Sequence, residues 1–395
     1  MKVIALYLPQ YHPIKENNEW WGEGYTEWTS LRKGCVYVEG QYQPRVPQGN
    51  NYYNLLDINV MKWQTDIAKK NGVYGFCFYH YWFNGKLLLE KPLEQFLEHK
   101  EIEFPYFFCW ANERWTRVWE GEDHPKVLIE HEYSDKKDVD KHFYYMLPFF
   151  KDVRYMKNNN KPLFNIYNPI AMPPHNLKYM VNRWNELARK EGFAGIEFSY
   201  LCAESMCYMN DTHRKYFDYG IEYEPSYAQH LEDDAKAGRN HYYKSYLAHA
   251  IAKSFPWIKK IVPHKRTRMN NDVIDRVKTI RSYDDDWNKA LNFKHDDYSK
   301  YVPGAFVDWD NTPRRGRKGK LILGATPEKF GTYFDKLIKR TKSLYKKDMI
   351  VVFAWNEWSE GGYLEPDERY GDAYLKAIKK ALIDNNEFEV WKQNS

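Results

Sequence analysis

The chain has 395 residues, of which 18% are aromatic, with 34 Tyr and 15 Trp, and it carries a formal net charge of +5. That length buries one large domain or two ordinary ones. A charge so small and so evenly spread excludes a basic stripe for nucleic acid. The Tyr and Trp exceed what packing asks for, and such side chains line surfaces that stack on flat or ring-shaped ligands, sugars among them.

Five cysteines (Cys35, Cys77, Cys109, Cys202, Cys207) show no zinc or CxxC spacing. Cys77 and Cys109 lie inside apolar runs and read as small core residues in a reducing compartment. The apolar run Val3–Leu8 is too short for a signal-peptide core, and no stretch approaches the roughly 18 apolar residues of a membrane span. The expectation is a soluble, cytoplasmic protein.

Taken in order, residues 3–13 read as a strand that ends in a polar, aromatic loop. The loop continues through residues 20–28, dense in Trp and Gly and holding Glu23, Glu27 and Trp28. A helical pattern runs from Asn59 to Lys70 and stops at Asn71-Gly72. Residues 74–83 form an apolar strand that turns aromatic, with His80 at the transition, and residues 87–100 read as a helix. Residues 104–115 repeat the strand pattern and end in Trp110, Asn112, Glu113 and Arg114. Residues 135–150 are helical, residues 161–169 form a strand ending in Tyr167 and Asn168, and residues 175–191 are helical again. Strands follow at 194–204 and 217–227, the second reaching Glu224-Pro225.

Residues 228–300 break the rhythm: long, basic and mixed in pattern. They are expected as an insertion between strands six and seven, serving as a lid, a decoration or a docking surface for an anionic polymer. The seventh strand, residues 302–314, ends in Asp308, Trp309, Asp310 and Arg314. A helix at 326–346 precedes an uncharged run from Met349 to Ala354, which reads as a fully buried strand. There the chemistry changes at once to Trp355, Asn356, Glu357, Trp358, Ser359, Glu360, Gly361 and Gly362. An amphipathic helix over 370–383 closes the pattern.

Eight strands alternating mostly with helices predict a parallel sheet. Polar and aromatic residues at every C-terminal strand end predict a (β/α)8 barrel, one domain over 1–395, rather than an open sheet with a single switch point. No Gly-rich phosphate loop is present.

Cleavage of a glycosidic bond takes two carboxylates, one to protonate the leaving oxygen and one to act on the sugar. Glu357 and Glu360 diverge in an extended strand but converge in a turn, and Gly361-Gly362 makes a turn plausible. The bland alternative is one reacting Glu and one salt-bridged Glu. Glu27, Glu113, Glu224, Asp308 and Asp310 reach the same rim. Trp28, Trp110, Trp309, Trp355 and Trp358 are available to stack on sugars or to fill the core. Arg114, Arg117 and Arg314 are suited to bind an anion or, more commonly, to hold acidic side chains in place. Tyr167, Asn112 and Asn356 complete the candidate substrate contacts. His80 reads as a hydrogen-bonding site residue, since no second His stands at metal-ligand spacing.

The stretches ALYLPQYHP, GYTEW, YGFCFYHYWF, CWANERWTRVW, DWDNTPR and above all WNEWSEGGYLEPD resemble the WbsX-like proteins, relatives of glycoside hydrolase family 99, the endo-α-mannosidases and mannanases. The resemblance implies a (β/α)8 barrel that needs no metal and no cofactor. It implies an ExxE pair that works by retention, with Glu357 as base for the sugar 2-hydroxyl, a 1,2-anhydro sugar as intermediate, and Glu360 as acid and then base. WANERW and DWDNTPR depart from family 99 and are of WbsX type, so substrate and linkage do not carry over. Two other readings stand beside hydrolysis. One is a glycosyltransferase of surface-polysaccharide synthesis, for which Asp308-Trp309-Asp310 has the DxD form that holds a metal and a sugar nucleotide. The other is a non-catalytic carbohydrate-binding barrel.

Overall fold

The computed structural model describes residues 1–116, 126–203, 209, 211–230, 277 and 279–388. Its centre is a ring of parallel strands: β1 (Lys2–Tyr7), β2 (Val73–Phe83), β3 (Tyr106–Trp110), β4 (Lys161–Ile166), β5 (Glu197–Cys202), β6 (Tyr219–Glu222), β7 (Tyr301–Val302), β8 (Gly304–Phe306) and β9 (Met349–Phe353). The neighbour order is β7-β6-β5-β4-β3-β2-β1-β9-β8. Its two ends are consecutive pieces of one strand, interrupted at Pro303. Gly220 and Ile221 of β6 pair with Tyr301 and Val302, while Gly304 and Phe306 pair with Val351 and Phe353. Proline has no N–H to give a ladder, but the Pro303 carbonyl still accepts from Val351 N at 3.1 Å. The ring therefore closes on eight positions, the (β/α)8 barrel expected.

The strands form where the chain is apolar on both faces, as parallel strands under helices require. Val3 to Tyr7 and Ile350 to Phe353 are all buried. Helices at Ile58–Lys70, Lys136–Lys151, Pro174–Lys190, Tyr283–Asn292, Pro327–Leu344 and Ala373–Asp384 cover the outside. Several begin on side-chain caps, with Asp57 accepting from Asn59 N and Asp135 from Lys137 N. Trp184, fully buried, packs on Phe164 of β4 at 4.8 Å between ring centroids.

Three boundaries differ from expectation. The helix expected from Leu87 starts at Lys91, because Lys86–Leu88 folds back antiparallel on Tyr81–Phe83. Asn84 and Gly85, both at positive φ, make the tight Asn-Gly turn. The strand expected over 104–115 ends at Trp110. Of the expected insertion, residues 231–276 and 278 lie outside the described residues. Its last part belongs to the barrel wall: Trp287 of Tyr283–Asn292 is fully buried and stacks on Phe306 at 4.9 Å. No helix among the described residues is long and apolar enough to cross a membrane.

Candidate active site

Where β9 leaves the barrel at its C-terminal mouth, the chain makes a minimal hairpin. Asn356 pairs with Tyr363 and Glu357 with Gly362, and Trp358–Glu360 between them is a single 3-10 turn. That turn is what brings an i, i+3 pair of glutamates to one side. The glycines are required. Gly361 has φ +73°, and a Cβ there would lie 2.9 Å from Asp310 N, while a Cβ on Gly362 would run into the Phe353 ring. The Asp310 N–H donates to the Glu360 carbonyl at 2.7 Å, docking the loop after β8 on the hairpin.

Arg314 reaches in from that loop and meets three carboxylates. Its Nε donates to Glu27 Oε1 at 2.9 Å and its Nη2 to the same oxygen at 2.5 Å. Nη1 donates to Glu360 Oε1 at 2.5 Å, and Nη2 also reaches Glu357 Oε2 at 3.3 Å. Glu27 opens a short helix, Glu27–Leu31, tied to the hairpin by Ser359 Oγ donating to the Glu27 carbonyl. Burial pushes the Glu357 carboxyl well above its ordinary value, against the pull of Arg314, and Glu360 nearby adds to the rise. Burial also pushes Glu360 up, again opposed by Arg314. Side-chain exposure is 8% for Glu357 and 13% for Glu360, so Glu360 is the more open of the two.

Four tyrosines face this cluster, Tyr11 beside Glu27 and Glu357 among them. The phenol of Tyr81 is raised by burial and then by the charge of Glu357, and that of Tyr223 by burial and then by Glu360 and Glu357. Tyr79 shares a long 3.5 Å hydroxyl contact with Tyr223. Tyr167 packs on Tyr79 and Tyr223, and half-buried Trp309 packs on Phe353, which touches Tyr223. Tyr167 and Trp309 are among the candidates named from the sequence; Tyr79, Tyr81 and Tyr223 are not. The available signal was period-two alternation along β2: if 79 and 81 face inward, 80 and 82 face out.

That alternation overturns His80. It points into the helical layer, 1% exposed, with Nε2 at 2.9 Å from His142 Nε2, and burial pushes its pKa down to about 3. Other expected substrate contacts are also architectural. Asn356 is fully buried; its Oδ1 accepts from Leu8 N at 2.8 Å and its Nδ2 donates to the Leu8 carbonyl at 3.0 Å, bracketing the ends of β1 and β9. Asn112 does the same between the loops after β3 and β4, accepting from Asn168 N and donating to the Asn168 carbonyl. Trp28, Trp110 and Trp355 are core residues, their indoles donating to the Tyr53 carbonyl, the Trp82 carbonyl and Glu365.

Asp308 receives Arg45 Nη2 at 2.7 Å, and Asp310 receives Gln41, Gln43 and Thr312. Glu224 is buried beside Glu222, and burial pushes its carboxyl well up, while Ala228 N donates to it at 3.2 Å. Glu113 and Arg114 are exposed, with Glu113 accepting from Asn168 Nδ2. Arg117 lies outside the described residues. The reacting candidates thus contract to Glu357 and Glu360, with Glu27, Arg314, Tyr167 and Trp309 around them.

The sequence model of the family described as "Glycosyltransferase WbsX" matches residues 3–378. The chain belongs to the WbsX family. Proteins named uncharacterized protein WxcX, from two strains of Xanthomonas campestris pv. campestris, are 31% identical over 382 residues. That is 96% of this WbsX chain and 49% of theirs, so the chain spans about half the length of the curated relatives it matches. Among solved structures, the GH99 endo-alpha-mannosidase of Bacteroides thetaiotaomicron superposes with a TM-score of 0.54 at 13% identity, over 98% of this chain and 97% of that one. Its complex with bis-tris-propane gives a TM-score of 0.53, at 13% identity and 98% of each chain. A "Glycoside hydrolase-like protein" gives 0.51 at 12% identity, over 96% and 93%. This chain thus shares its barrel fold with that endo-alpha-mannosidase.

Proposed function

We propose that this WbsX chain is a glycoside hydrolase whose reacting groups are Glu357 and Glu360. The observation that carries the reading is the hairpin itself: one tight turn at the barrel mouth presents a buried and a half-buried carboxylate that share the Arg314 guanidinium. Raised carboxyl pKa values are what a general acid near neutral pH uses, and the fold shared with an endo-α-mannosidase supports the same class.

The cycle follows the retaining route that the ExxE resemblance implies. Glu357 takes the proton of the substrate 2-hydroxyl while O2 attacks C1. The C1–O2 bond forms as the glycosidic C1–O bond breaks, and Glu360 gives its proton to the leaving oxygen. Water then attacks C1, losing its proton to Glu360; the C1–O2 bond breaks and O2 regains the proton from Glu357. Backside attack by O2 demands a glycoside with a free 2-hydroxyl trans to the leaving group, as in an α-mannoside. Tyr167 and Trp309 offer aromatic faces to the sugar ring.

The family description names a transferase, which makes sugar-nucleotide chemistry the competing reading. The DxD form is the motif that would serve it, and both of those carboxylates are bonded within the fold. The test is digestion of a panel of surface polysaccharides and α-mannans by the native chain, with NMR of the first-formed anomer. Sugar release with retained configuration is expected. No cleavage of any substrate, together with metal-dependent binding of a sugar nucleotide that Asp308→Asn abolishes, would overturn it in favour of transfer.

A further inference from the structure

We infer that Glu27 is a positioning residue: it anchors Arg314 as a pivot and thereby decides which of Glu357 and Glu360 holds the working proton. The inference rests on the glycosidase reading of that pair and assigns a role to a third carboxylate that the two-carboxylate scheme leaves without one.

The geometry is a division of one cation among three anions. Glu27 takes two of the guanidinium's contacts, at Nε and Nη2, both on a single oxygen. What remains for the pair is one short contact to Glu360 and one long contact to Glu357. Glu27 is 2% exposed, sealed beneath the mouth rather than lining it, so its carboxylate is placed to act through Arg314 and not on a sugar. The other groups that face the cluster are Tyr11 and Tyr81 beside Glu27 and Glu357, Tyr79 beside Glu357, Tyr223 beside both reacting carboxylates, and Arg315 beside Glu360. Those tyrosines stay neutral, and Arg315 is exposed to solvent, so among the described residues Arg314, half-buried, is the cation that sets the balance.

The short contact falls on Glu360 and the long one on Glu357. A carboxylate beside a guanidinium stays ionised, and one farther away keeps its proton. The unliganded arrangement therefore favours the proton on Glu357, the reverse of what the cycle starts from. Productive binding has to pass the fork from Glu360 toward Glu357, freeing Glu360 to take the proton while Glu357 becomes the base. Glu27 holds both Nε and Nη2, so the shift is a rotation about that anchored edge, which carries Nη1 away from Glu360 while Nη2 stays within reach of Glu357. Neutralising Glu27 hands the whole cation to the pair and favours both as carboxylates; removing the Arg314 charge does the opposite.

The experiment is a titration of the native chain, Glu27→Gln and Arg314→Gln, each carrying glutamate enriched in 13C at Cδ, with the resonances of the pair assigned from Glu357→Gln and Glu360→Gln. The expected result is that Glu27→Gln lowers the carboxyl titrations of the pair by about one pH unit or more and Arg314→Gln raises them by a similar amount. The alkaline limb of the pH–rate profile moves the same way for Glu27→Gln, with kcat falling at neutral pH and KM little changed. Unshifted titrations in Glu27→Gln, with activity merely scaled down, would overturn the inference and leave Glu27 a structural brace. Should Glu27→Gln not fold, Glu27→Asp carries the test: it keeps the charge but draws it back from Arg314, and a smaller downward shift of both titrations is expected, with no shift overturning the inference. Because the NMR titration needs no substrate, a chain that cleaves nothing would defeat the glycosidase reading without deciding this one.

Discussion

Two sets of carboxylates sit one hydrogen bond apart at the barrel mouth, and they are built in opposite ways. Asp310 accepts from Gln41 Nε2 at 2.8 Å, Gln43 Nε2 at 2.9 Å, Thr312 N at 3.0 Å and Thr312 Oγ1 at 2.6 Å. Asp308 accepts from Arg45 Nη2 at 2.7 Å and from the Trp309 N–H at 2.8 Å. Glu27, Glu357 and Glu360, by contrast, divide one guanidinium. A buried acid whose lone pairs are all matched holds loops together; a cluster with more anions than partners has protons to trade. Glu365 belongs with the first kind. Its carboxylate accepts from Gln64, Trp355, Tyr53 and Trp358, and it sits at a cavity of about 170 Å³ that none of Glu27, Arg314, Glu357 and Glu360 lines.

That contrast sets an order of expected effects. Glu357→Gln and Glu360→Gln each lower kcat about a thousandfold, while thermal unfolding shows the fold unharmed or stabilised. Glu360→Gln removes a charge from a crowded anionic site, and Glu357→Gln replaces a carboxyl that the unliganded arrangement already keeps protonated. Asp310→Ala leaves two amides and a threonine without their acceptor and lowers unfolding free energy by about 3 kcal/mol in urea titration, with the rate per folded molecule kept within tenfold.

Glu365→Gln comes next, costing about 2 kcal/mol because an amide cannot accept from all four donors. Burial pushes Glu365 up to about 7 from an ordinary 4.5. A raised carboxyl favours folding while it is protonated, so its contribution is present below pH 4.5 and is lost as pH rises through 7. Unfolding measured across that window should show the decline in the native chain and a flatter line in Glu365→Gln. The smallest effect is His80→Phe. It leaves His142 unpaired and costs about 1 kcal/mol, and polysaccharide cleavage at saturating substrate stays within twofold; a large loss of rate would return His80 to the site.

Much of this was readable from sequence because the barrel writes itself in apolar runs, from Val3–Leu8 to Met349–Ala354, and because a Glu-x-x-Glu followed by Gly-Gly announces a turn. The residues that misled did so for two reasons. A strand end shows which side chains are polar but not which face they take, so His80, on the wrong parity of β2, read like a site residue, while Tyr79 and Tyr81 read like core. Asn112 and Asn356 lie on the rim but spend their amides on neighbouring backbone, which only the pairing of loops distant in sequence reveals. The partnership of Glu27 with Arg314 spans 287 positions, beyond any local pattern.

The account is tested most directly by setting Glu360→Gln beside Asp310→Asn, two isosteric changes on adjoining loops, and measuring cleavage rate and urea midpoint on each. The prediction is a crossed result: Glu360→Gln loses the rate and keeps the midpoint, and Asp310→Asn loses the midpoint and keeps the rate within tenfold. Full activity in Glu360→Gln, or an inactive Asp310→Asn of native stability, would contradict it.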